Sequence, residues 1–383
     1  MSFIKFGKFI NFLMFFTIIY GCKNINQDHK ISQDHTVFID PFLKNISCPL
    51  SEIIGDIKVV HLETSPDCLI GHFSYLIFLD DKYIVFVSNK SILIFDNQGK
   101  YLNKIDALGK GPKEYGTIAN AFVDPINKMI YIVDYDDIKL YNFAGEYRST
   151  LKLSSKSGGV YRMSNAKLIV VCSQIYSYEK REMLYLLDSN FNVYHTFYSN
   201  NPDVCKDIKQ NLFFAGTPYE INGRLYYIEP FVETIYEISD TLLIPHWTIS
   251  SGDLGLKTED GINIDNFNKA SDKIPPLGLR ETENLFFINY TFNNALYMSL
   301  FDKRNNKFIF HQEFSPRDFP ANSSPTLGMK NDLIENSPLF WPKYINNNTI
   351  VSLTEPVSMT AEQRKKLGCD QDDNTILFIG ELK

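Results

Sequence analysis

Two consecutive segments of the same form decide the fold class of this chain. Residues 82–105 read KYIVFVSNKSILIFDNQGKYLNKI, and residues 128–153 read KMIYIVDYDDIKLYNFAGEYRSTLKL. A shift of 46 residues superposes them without a gap and aligns Gly99 with Gly145. Each copy contains three short apolar runs, and a turn with glycine precedes the third run. This pattern predicts antiparallel β-meanders that repeat around a common axis.

The strand pattern continues along the chain at a similar spacing and predicts an all-β fold, a six-bladed β-propeller with four antiparallel strands in each blade. We expect the propeller to cover residues 46–383. The sixth repeat lacks one strand, whereas residues 56–62 form a strand that precedes the first repeat. We therefore predict that this N-terminal strand pairs with residues 375–380 in the last blade. Such a pairing closes the ring and removes exposed sheet edges.

One short helix is predicted near the C-terminus, at residues 360–367. Thr360 can cap its first turn, and Gln363 stands three residues later, which is the spacing of a capping box. Gly368 follows the last residue and is expected to end the helix.

The N-terminus has the pattern of a bacterial lipoprotein signal. Two lysines precede an apolar run at residues 9–20, which is too short to span a bilayer comfortably. The run ends in Gly21 and Cys22, and a cysteine at this place can carry a diacylglycerol after cleavage. We predict a signal peptide over residues 1–21 and lipidation at Cys22. The alternative is an ordinary cleaved signal with an incidental cysteine.

The segment after Cys22 is predicted to be a flexible tether over residues 22–45, because residues 23–36 are polar and show no periodicity. The lipid is expected to attach the protein to the membrane of the bacterial cell envelope, and we expect the outer membrane.

The charge balance excludes one class of partner. The chain has 45 acidic and 38 basic residues, a formal net charge of −7, and the signal peptide removes two lysines and no acid. An acidic exported chain is a poor partner for nucleic acid phosphates, and its charge does not attract an anionic membrane. We expect a monomer whose partner is an envelope protein or a glycan.

A turn ahead of the second repeat supports a family resemblance. Residues 108–115 read LGKGPKEY, and this resembles the six-bladed β-propeller lipoproteins of Bacteroidetes, which carry a G-x-G-P-x-E-[YF] turn before such a blade. The matching residues are Gly109, Gly111, Pro112, Glu114 and Tyr115. The resemblance implies the fold and an exported, lipid-anchored location, and it implies no particular reaction.

The sequence offers only weak candidates for a metal-binding, phosphate-binding or catalytic site. Asp134, Asp136 and Asp137 could bind a hard cation, but a solvated turn is the preferred interpretation. The GKGPKEY segment lacks the G-K-[ST] ending of a P-loop, so a structural turn is preferred there as well. No catalytic or metal-ligand motif occurs, and we predict no cofactor and no metal. A disulfide between Cys48 and Cys68 stays open.

Aromatic residues recur where the second and third strands of a repeat are connected, namely Tyr176, Tyr178, Phe231, Tyr290 and Phe292. Long insertions at residues 200–213, 251–283 and 315–343 leave from the same face of the ring. We predict that these five rings are exposed there and contact a ligand. The alternative is that they belong to the core of a chain rich in aromatic residues.

Two classes of function follow from these features. The favoured one is a non-catalytic binding or scaffold module for a glycan, a peptide or a protein at the cell envelope. The alternative is a propeller enzyme with a site in its central channel, such as a metal-assisted lactonase or a polysaccharide lyase. Fold analogy alone supports that alternative, and a fold does not fix a function.

The lipid anchor gives the first testable prediction. Metabolic labelling with a fatty acid in the native host should label the wild-type protein, and the Cys22→Ala variant should take up none, because the thiol that accepts the lipid is gone. A labelled Cys22→Ala protein would refute the assignment. A Cys48→Ala variant serves as the control and should label like the wild type.

Overall fold

A computed structural model describes residues 35–71, 74–134, 137–152, 157–162, 168–172, 182–188, 192–199, 216–257, 270–315 and 327–383. The predicted signal peptide, Cys22 and the first part of the predicted tether lie outside these ranges. The described ranges form an all-β propeller of antiparallel blades, most of them with four strands.

Two strands precede the repeats, β1 (Thr36–Phe38) and β2 (Ile54–His61). Sheet 1 contains β3 (Tyr75–Leu79), β4 (Tyr83–Ser88), β5 (Ser91–Asp96) and β6 (Tyr101–Ile105). Sheet 2 contains β7 (Asn120–Asp124), β8 (Met129–Asp134), β9 (Asp137–Asn142) and β10 (Tyr147–Lys152). Sheet 3 contains β11 (Ser157–Arg162), β12 (Leu168–Cys172), β13 (Glu182–Leu187) and β14 (Val193–Tyr198).

The second half of the chain continues in the same order. Sheet 4 contains β15 (Thr217–Ile221), β16 (Arg224–Ile228), β17 (Thr234–Ser239) and β18 (Leu242–Ser250). Sheet 5 contains β19 (Gly278–Glu281), β20 (Leu285–Phe292), β21 (Ala295–Asp302) and β22 (Lys307–Phe314). Sheet 6 contains β23 (Tyr344–Asn346), β24 (Thr349–Thr354) and β25 (Ile376–Leu382), and β2 lies beside β25.

Two of these strands fall in or beside segments that the sequence predicted to be insertions. Strand β19 lies inside residues 251–283, and β23 begins directly after residues 315–343. Both are short first strands with mixed polar composition, so the alternation that reveals a half-buried strand is weak in them.

The core lies between the sheets rather than inside one of them. Central strands such as β4 and β8 are apolar on both faces, because each face packs against a different neighbour. Sheets 1 and 2 share a cluster that includes Ile94, Tyr115 and Ile132. Similar clusters occur between each later pair of consecutive sheets, and another joins sheet 6 to sheet 1.

Strand β2 connects the two ends of the propeller. It pairs antiparallel with β25, and Val60 lies opposite Leu377. Both side chains are buried in the cluster between sheets 6 and 1, together with Phe86. Asn374, just before β25, donates to the carbonyls of Glu63 and Cys68 and accepts from the amide of Ile70 at 2.8 Å. Residues from both ends of the chain therefore build one sheet.

Strand β1 corrects the predicted tether. It pairs in parallel with β18 as a fifth strand of sheet 4, and Ile39 continues the pairing with a hydrogen bond to Ser250. Val37 is buried in the cluster between sheets 4 and 5. Residues 36–39 are thus ordered, because a short apolar alternation hidden at the end of a polar segment finds an open sheet edge.

The C-terminal helix has the predicted caps. Helix α1 (Ala361–Leu367) begins after Thr360, and both hydrogen bonds of the capping box with Gln363 are present. Gly368 ends it in the left-handed conformation. None of the helices in the described ranges is long and apolar enough to cross a membrane.

The structure shows no disulfide between Cys48 and Cys68. Cys48 and Cys68 are both buried free thiols and lie in different clusters. Burial raises the pKa of Cys48 to about 11, and the nearby Glu52 adds to this effect. The Cys48 thiol is therefore not activated as a nucleophile.

The pairing of β2 leads to a stability prediction. The Val60→Asp substitution places a carboxylate among apolar side chains and should lower the free energy of unfolding by about 3 kcal/mol. The matched control is His61→Asp, because His61 is the next residue of the same strand but is exposed. Its effect should stay within about 0.5 kcal/mol. Urea unfolding measures both, and equal effects would contradict the packing of β2.

Candidate functional site

A groove opens between sheets 4 and 5, where β16 connects to β17 and β18 connects to β19. Its volume is about 170 Å³, and it is lined by Thr217 and by parts of residues 228–235, 249–256 and 274–279. Ile235, Ile249 and Ile274 form its apolar floor and are almost fully buried. We call this site the proline-lined groove, after Pro230, Pro275 and Pro276.

Backbone hydrogen bonds hold the three wall segments together. The amide of Ile249 donates to the carbonyl of Glu233 at 2.8 Å, and the amide of Ser251 donates to the carboxylate of Glu233, also at 2.8 Å. The amide of Leu256 donates to the carbonyl of Ile274 at 2.8 Å. The groove is therefore formed before any ligand arrives, which limits the ordering cost of binding.

Among the predicted contact residues that the structure describes, Phe231 alone lines the groove. It is half-buried and adopts a φ of 62°, which is unusual for a bulky residue. The strained turn directs the segment from Pro230 to Glu233 over the floor. Such strain persists only where the surroundings enforce it, and it is common at binding sites.

The charge of the groove is negative. Its lining residues in the described ranges include Glu229 and Glu233 but no lysine, arginine or histidine. Glu229 is buried, and Ser199 donates a hydrogen bond to its carboxylate. Burial raises the pKa of Glu229, and the hydrogen bond from Ser199 opposes this only in part. A positive group placed here would meet two carboxylates beside an apolar floor.

The remaining predicted aromatic contacts do not lie on this surface. Tyr290 and Phe292 are only 3% and 4% exposed, so the prediction that they are exposed is wrong. Strand β20 extends to Phe292, and its even-numbered residues face sheet 4. On that face of sheet 5, the ring of Tyr290 stacks on that of Tyr297, with 5.1 Å between the ring centroids. Tyr176 and Tyr178 lie outside the described residues.

Steric crowding explains why the GKGPKEY turn contains glycine. The amide of Gly111 donates to the carboxylate of Glu114 at 2.8 Å, and a Cβ on Gly109 would overlap that carboxylate. Glu114 therefore folds back over the turn that contains it. Pro112 contributes its carbonyl, which accepts from Lys139 at 3.3 Å. The turn is occupied by its own side chains.

Tyr115 joins this turn to the preceding blade. It is fully buried between sheets 1 and 2. Its hydroxyl lies 2.8 Å from the carbonyl of Lys90 and 3.2 Å from that of Ile105, both in sheet 1. Burial raises the pKa of Tyr115. The motif thus ties two blades together.

Two of the three candidate aspartates at the connection from β8 to β9 are engaged in other contacts, and the third, Asp136, lies outside the described residues. The Asp134 carboxylate accepts from the amides of Gly116 and Thr117 at 2.8 and 3.1 Å. Asp137 pairs with Lys152 at 2.6 Å. Within the ranges that the structure describes, no group of three His, Cys, Asp or Glu side chains is arranged to hold a metal ion.

A second buried glutamate lies between sheets 4 and 5, away from the groove. Glu281 accepts from Lys303 at 2.7 Å and lies 2.9 Å from Nε2 of His246, and Tyr219 donates to its other oxygen. Burial alone would raise the pKa of Glu281, but the hydrogen bond with His246 and the charge of Lys303 outweigh it, so the pKa is lowered. This carboxylate is a structural ion-pair partner.

Sequence comparison identifies the family. Residues 36–381 match the family described as Domain of unknown function (DUF4934). The chain belongs to this family. No curated protein matches the chain. The match begins at β1, in agreement with the ordered start of the fold.

Solved structures extend the comparison. A candidate exported protein from Bacteroides fragilis is 18% identical with a TM-score of 0.64, and the alignment covers 91% of this chain and 99% of that one. The Pan2 WD40 domain of Neurospora crassa is 10% identical, with 68% and 73% covered and a TM-score of 0.39. A protein of unknown function from Bacteroides caccae is 11% identical, with 64% and 82% covered and a TM-score of 0.36. The similarity to the Bacteroides fragilis protein shows the fold alone, and the other two similarities are too weak to support a conclusion.

Sequence reasoning found one residue of the groove and missed the others. The signal was present in the loop EPFVE at residues 229–233 and in the IPP segment at residues 274–276. Both are short runs of apolar residues and prolines in connections, which is unusual for solvated loops. Their proximity could not be read from the sequence, because they belong to different repeats.

The two buried glutamates predict opposite pH dependences of stability. The folded-state pKa of Glu229 is raised above its ordinary value of 4.5, so its stabilising contribution is present below that pH and is lost as the pH rises. Glu229→Gln should therefore gain stability relative to the wild type as the pH rises from 4 to 8.

Glu281→Gln is the contrasting variant. The lowered pKa of Glu281 means that its contribution is present above its ordinary value of 4.5 and is lost as the pH falls further. We expect Glu281→Gln to cost about 3 kcal/mol near pH 7 and less in acid. Thermal unfolding across this pH range measures both variants. Parallel profiles would contradict the assigned environments.

Proposed function

We propose that the protein is a six-bladed propeller, closed by β2 in sheet 6, that is exported, anchored by a lipid and binds a protein segment at the bacterial cell envelope. Support for the blade count comes from six successive sheets among the described residues and from the packing of sheet 6 on sheet 1. The pairing of β2 with β25 supports the closure.

The proposed location rests on the sequence of the N-terminus and on a similar structure. The apolar run ends at Cys22, as in lipoprotein signals. The similar structure from Bacteroides fragilis is that of a candidate exported protein. Residues 23–35 then connect the anchor to β1 and are long enough to hold the propeller off the membrane surface.

The proline-lined groove carries the proposal about the ligand. At about 170 Å³ it is smaller than the several hundred Å³ that small-molecule sites usually occupy. It fits one apolar side chain of an extended peptide better than a run of sugar rings. Two carboxylates at the apolar floor favour a lysine or arginine next to that side chain. The proposed ligand is therefore a protein segment that contains an apolar residue beside a basic one.

A displayed peptide library tests this assignment. Selection on the purified protein should enrich peptides with an apolar residue beside lysine or arginine. Phe231→Ala removes part of the wall, and Glu233→Lys reverses a charge at the rim, so each should weaken binding of a selected peptide at least tenfold, a loss of about 1.4 kcal/mol. Isothermal titration calorimetry measures the affinities.

The control is Leu242→Ala. Leu242 is 63% exposed and lies at the opposite end of sheet 4 from the groove, so its truncation should leave the affinity unchanged. An equal loss in all three variants, or enrichment of acidic peptides, would contradict the proposal. Binding to a glycan array that persists in Phe231→Ala and Glu233→Lys would instead favour a glycan ligand at another site.

A further inference from the structure

Arg280 faces sheet 6 from the first strand of sheet 5. Side chains alternate along a strand, and on β19 the neighbours of Arg280 point the other way. Leu279 packs in the cluster between sheets 4 and 5, and Glu281 bonds to Tyr219 of sheet 4. Arg280 must therefore project from the opposite face, at the unpaired edge of its sheet.

Lys343 faces Arg280 from the other side of the same interface. Tyr344, the first residue of β23, packs in the cluster between sheets 6 and 1, whereas Ile345 packs in the cluster between sheets 5 and 6. By alternation, Lys343 shares the face of Ile345 and points toward sheet 5. Burial lowers the pKa of Lys343, and the charge of Arg280 lowers it further, which agrees with their proximity.

This pair of cations lacks a carboxylate partner among the described residues. Burial is the one cause that lowers the pKa of Arg280, and no acid opposes it. Two largely buried lysines of the fold do have such partners, since Lys303 bonds to Glu281 and Lys139 lies 3.6 Å from Asp137. Arg280 is half-buried and Lys343 is exposed, and two like charges held close together destabilise the folded protein.

A third polar group lies against the same strand. Asn289 of β20 pairs with Gly278 of β19, and a Cβ at Gly278 would overlap the amide of Asn289. Because Gly278 has no side chain, the amide of Asn289 can lie against β19, on the same face of the sheet as Arg280. Like Arg280 and Lys343, Asn289 has no side-chain hydrogen bond within the described ranges.

The turns that follow the first strands of sheets 4 to 6 contact one another. The amide of Asn222, in the turn after β15, donates to Oδ1 of Asn347, in the turn after β23, at 3.0 Å. Asn222 also donates to Glu283, after β19, at 2.9 Å. These contacts bring the ends of three first strands together, as at the centre of a propeller.

We propose that Arg280, Lys343 and Asn289 form a binding site for an oxyanion at the inner edge of sheets 5 and 6. The ligand is a carboxylate, sulfate or phosphate group. The arginine can donate two parallel hydrogen bonds to it, the ammonium adds a point charge, and the amide adds a neutral donor. The anion removes the repulsion between the two cations. The site is independent of the proline-lined groove and stands whether or not the groove binds a peptide.

Thermal unfolding of the purified protein tests the site. Sodium phosphate, sulfate, glucuronate and N-acetyl-aspartate amide are each compared with chloride at equal ionic strength and pH 7. At a concentration ten times the dissociation constant, we expect a rise in Tm of about 2 °C for at least one of them. The anion that raises the Tm most identifies the class of ligand, which is an inorganic ion or ester, a sugar acid, or an acidic peptide.

The double variant Arg280→Met, Lys343→Met should lose this response and keep or raise its Tm in chloride, because the repulsion is gone. Lys343→Gln alone, at an exposed side chain, should reduce the anion affinity at least tenfold in calorimetry and guards against a folding defect. Arg148→Met, at an exposed arginine in sheet 2, is the control and should respond like the wild type. No shift in the wild type, or an equal shift in the double variant, would overturn the proposal.

Discussion

The pairing of β2 with β25 is the constraint on which the rest of the structure depends. Each sheet hides its apolar faces only against two neighbours, and sheet 6 and sheet 1 hide theirs against each other through residues such as Val60 and Leu377. This contact joins positions almost a whole chain apart. Its loop entropy must be overcome before these apolar faces are covered, so the pairing of β2 with β25 is expected to form late in folding.

Local chemistry made much of this fold predictable. The repeat at residues 82–153, the displaced strand at residues 56–62 and the caps of α1 at Thr360 and Gly368 are signals within short windows. Strand β1 was missed because two apolar residues at the end of a polar segment form no pattern by themselves. Strands β19 and β23 were missed for a similar reason, since first strands at the inner edge carry polar residues.

The sites were harder to predict than the fold, because they depend on which face a residue takes. Tyr290 and Phe231 are both aromatic and both near the end of a second strand. Strand β20 has eight residues and keeps Tyr290 inside the strand and the core, whereas β16 has five and ends before Phe231, which a left-handed turn places on the groove. Likewise, Arg280 and Glu281 are adjacent in sequence, yet the glutamate has three partners and the arginine faces another cation. Successive side chains of a strand point to opposite faces, so Arg280 and Glu281 meet different neighbours.

Strand β1 also determines how the propeller bears mechanical load. A pull transmitted along the N-terminal segment reaches β1 before it reaches β2. The hydrogen bonds between β1 and β18 run side by side in parallel register, from Thr36 opposite Thr248 to Phe38 opposite Ser250. Sheet 4 therefore takes the force first, and the pairing of Ile46 with His311 of sheet 5 and the buried side chain of Leu50 resist it next, ahead of β2. A tug on the attachment point can detach β1 while β2 stays paired in sheet 6.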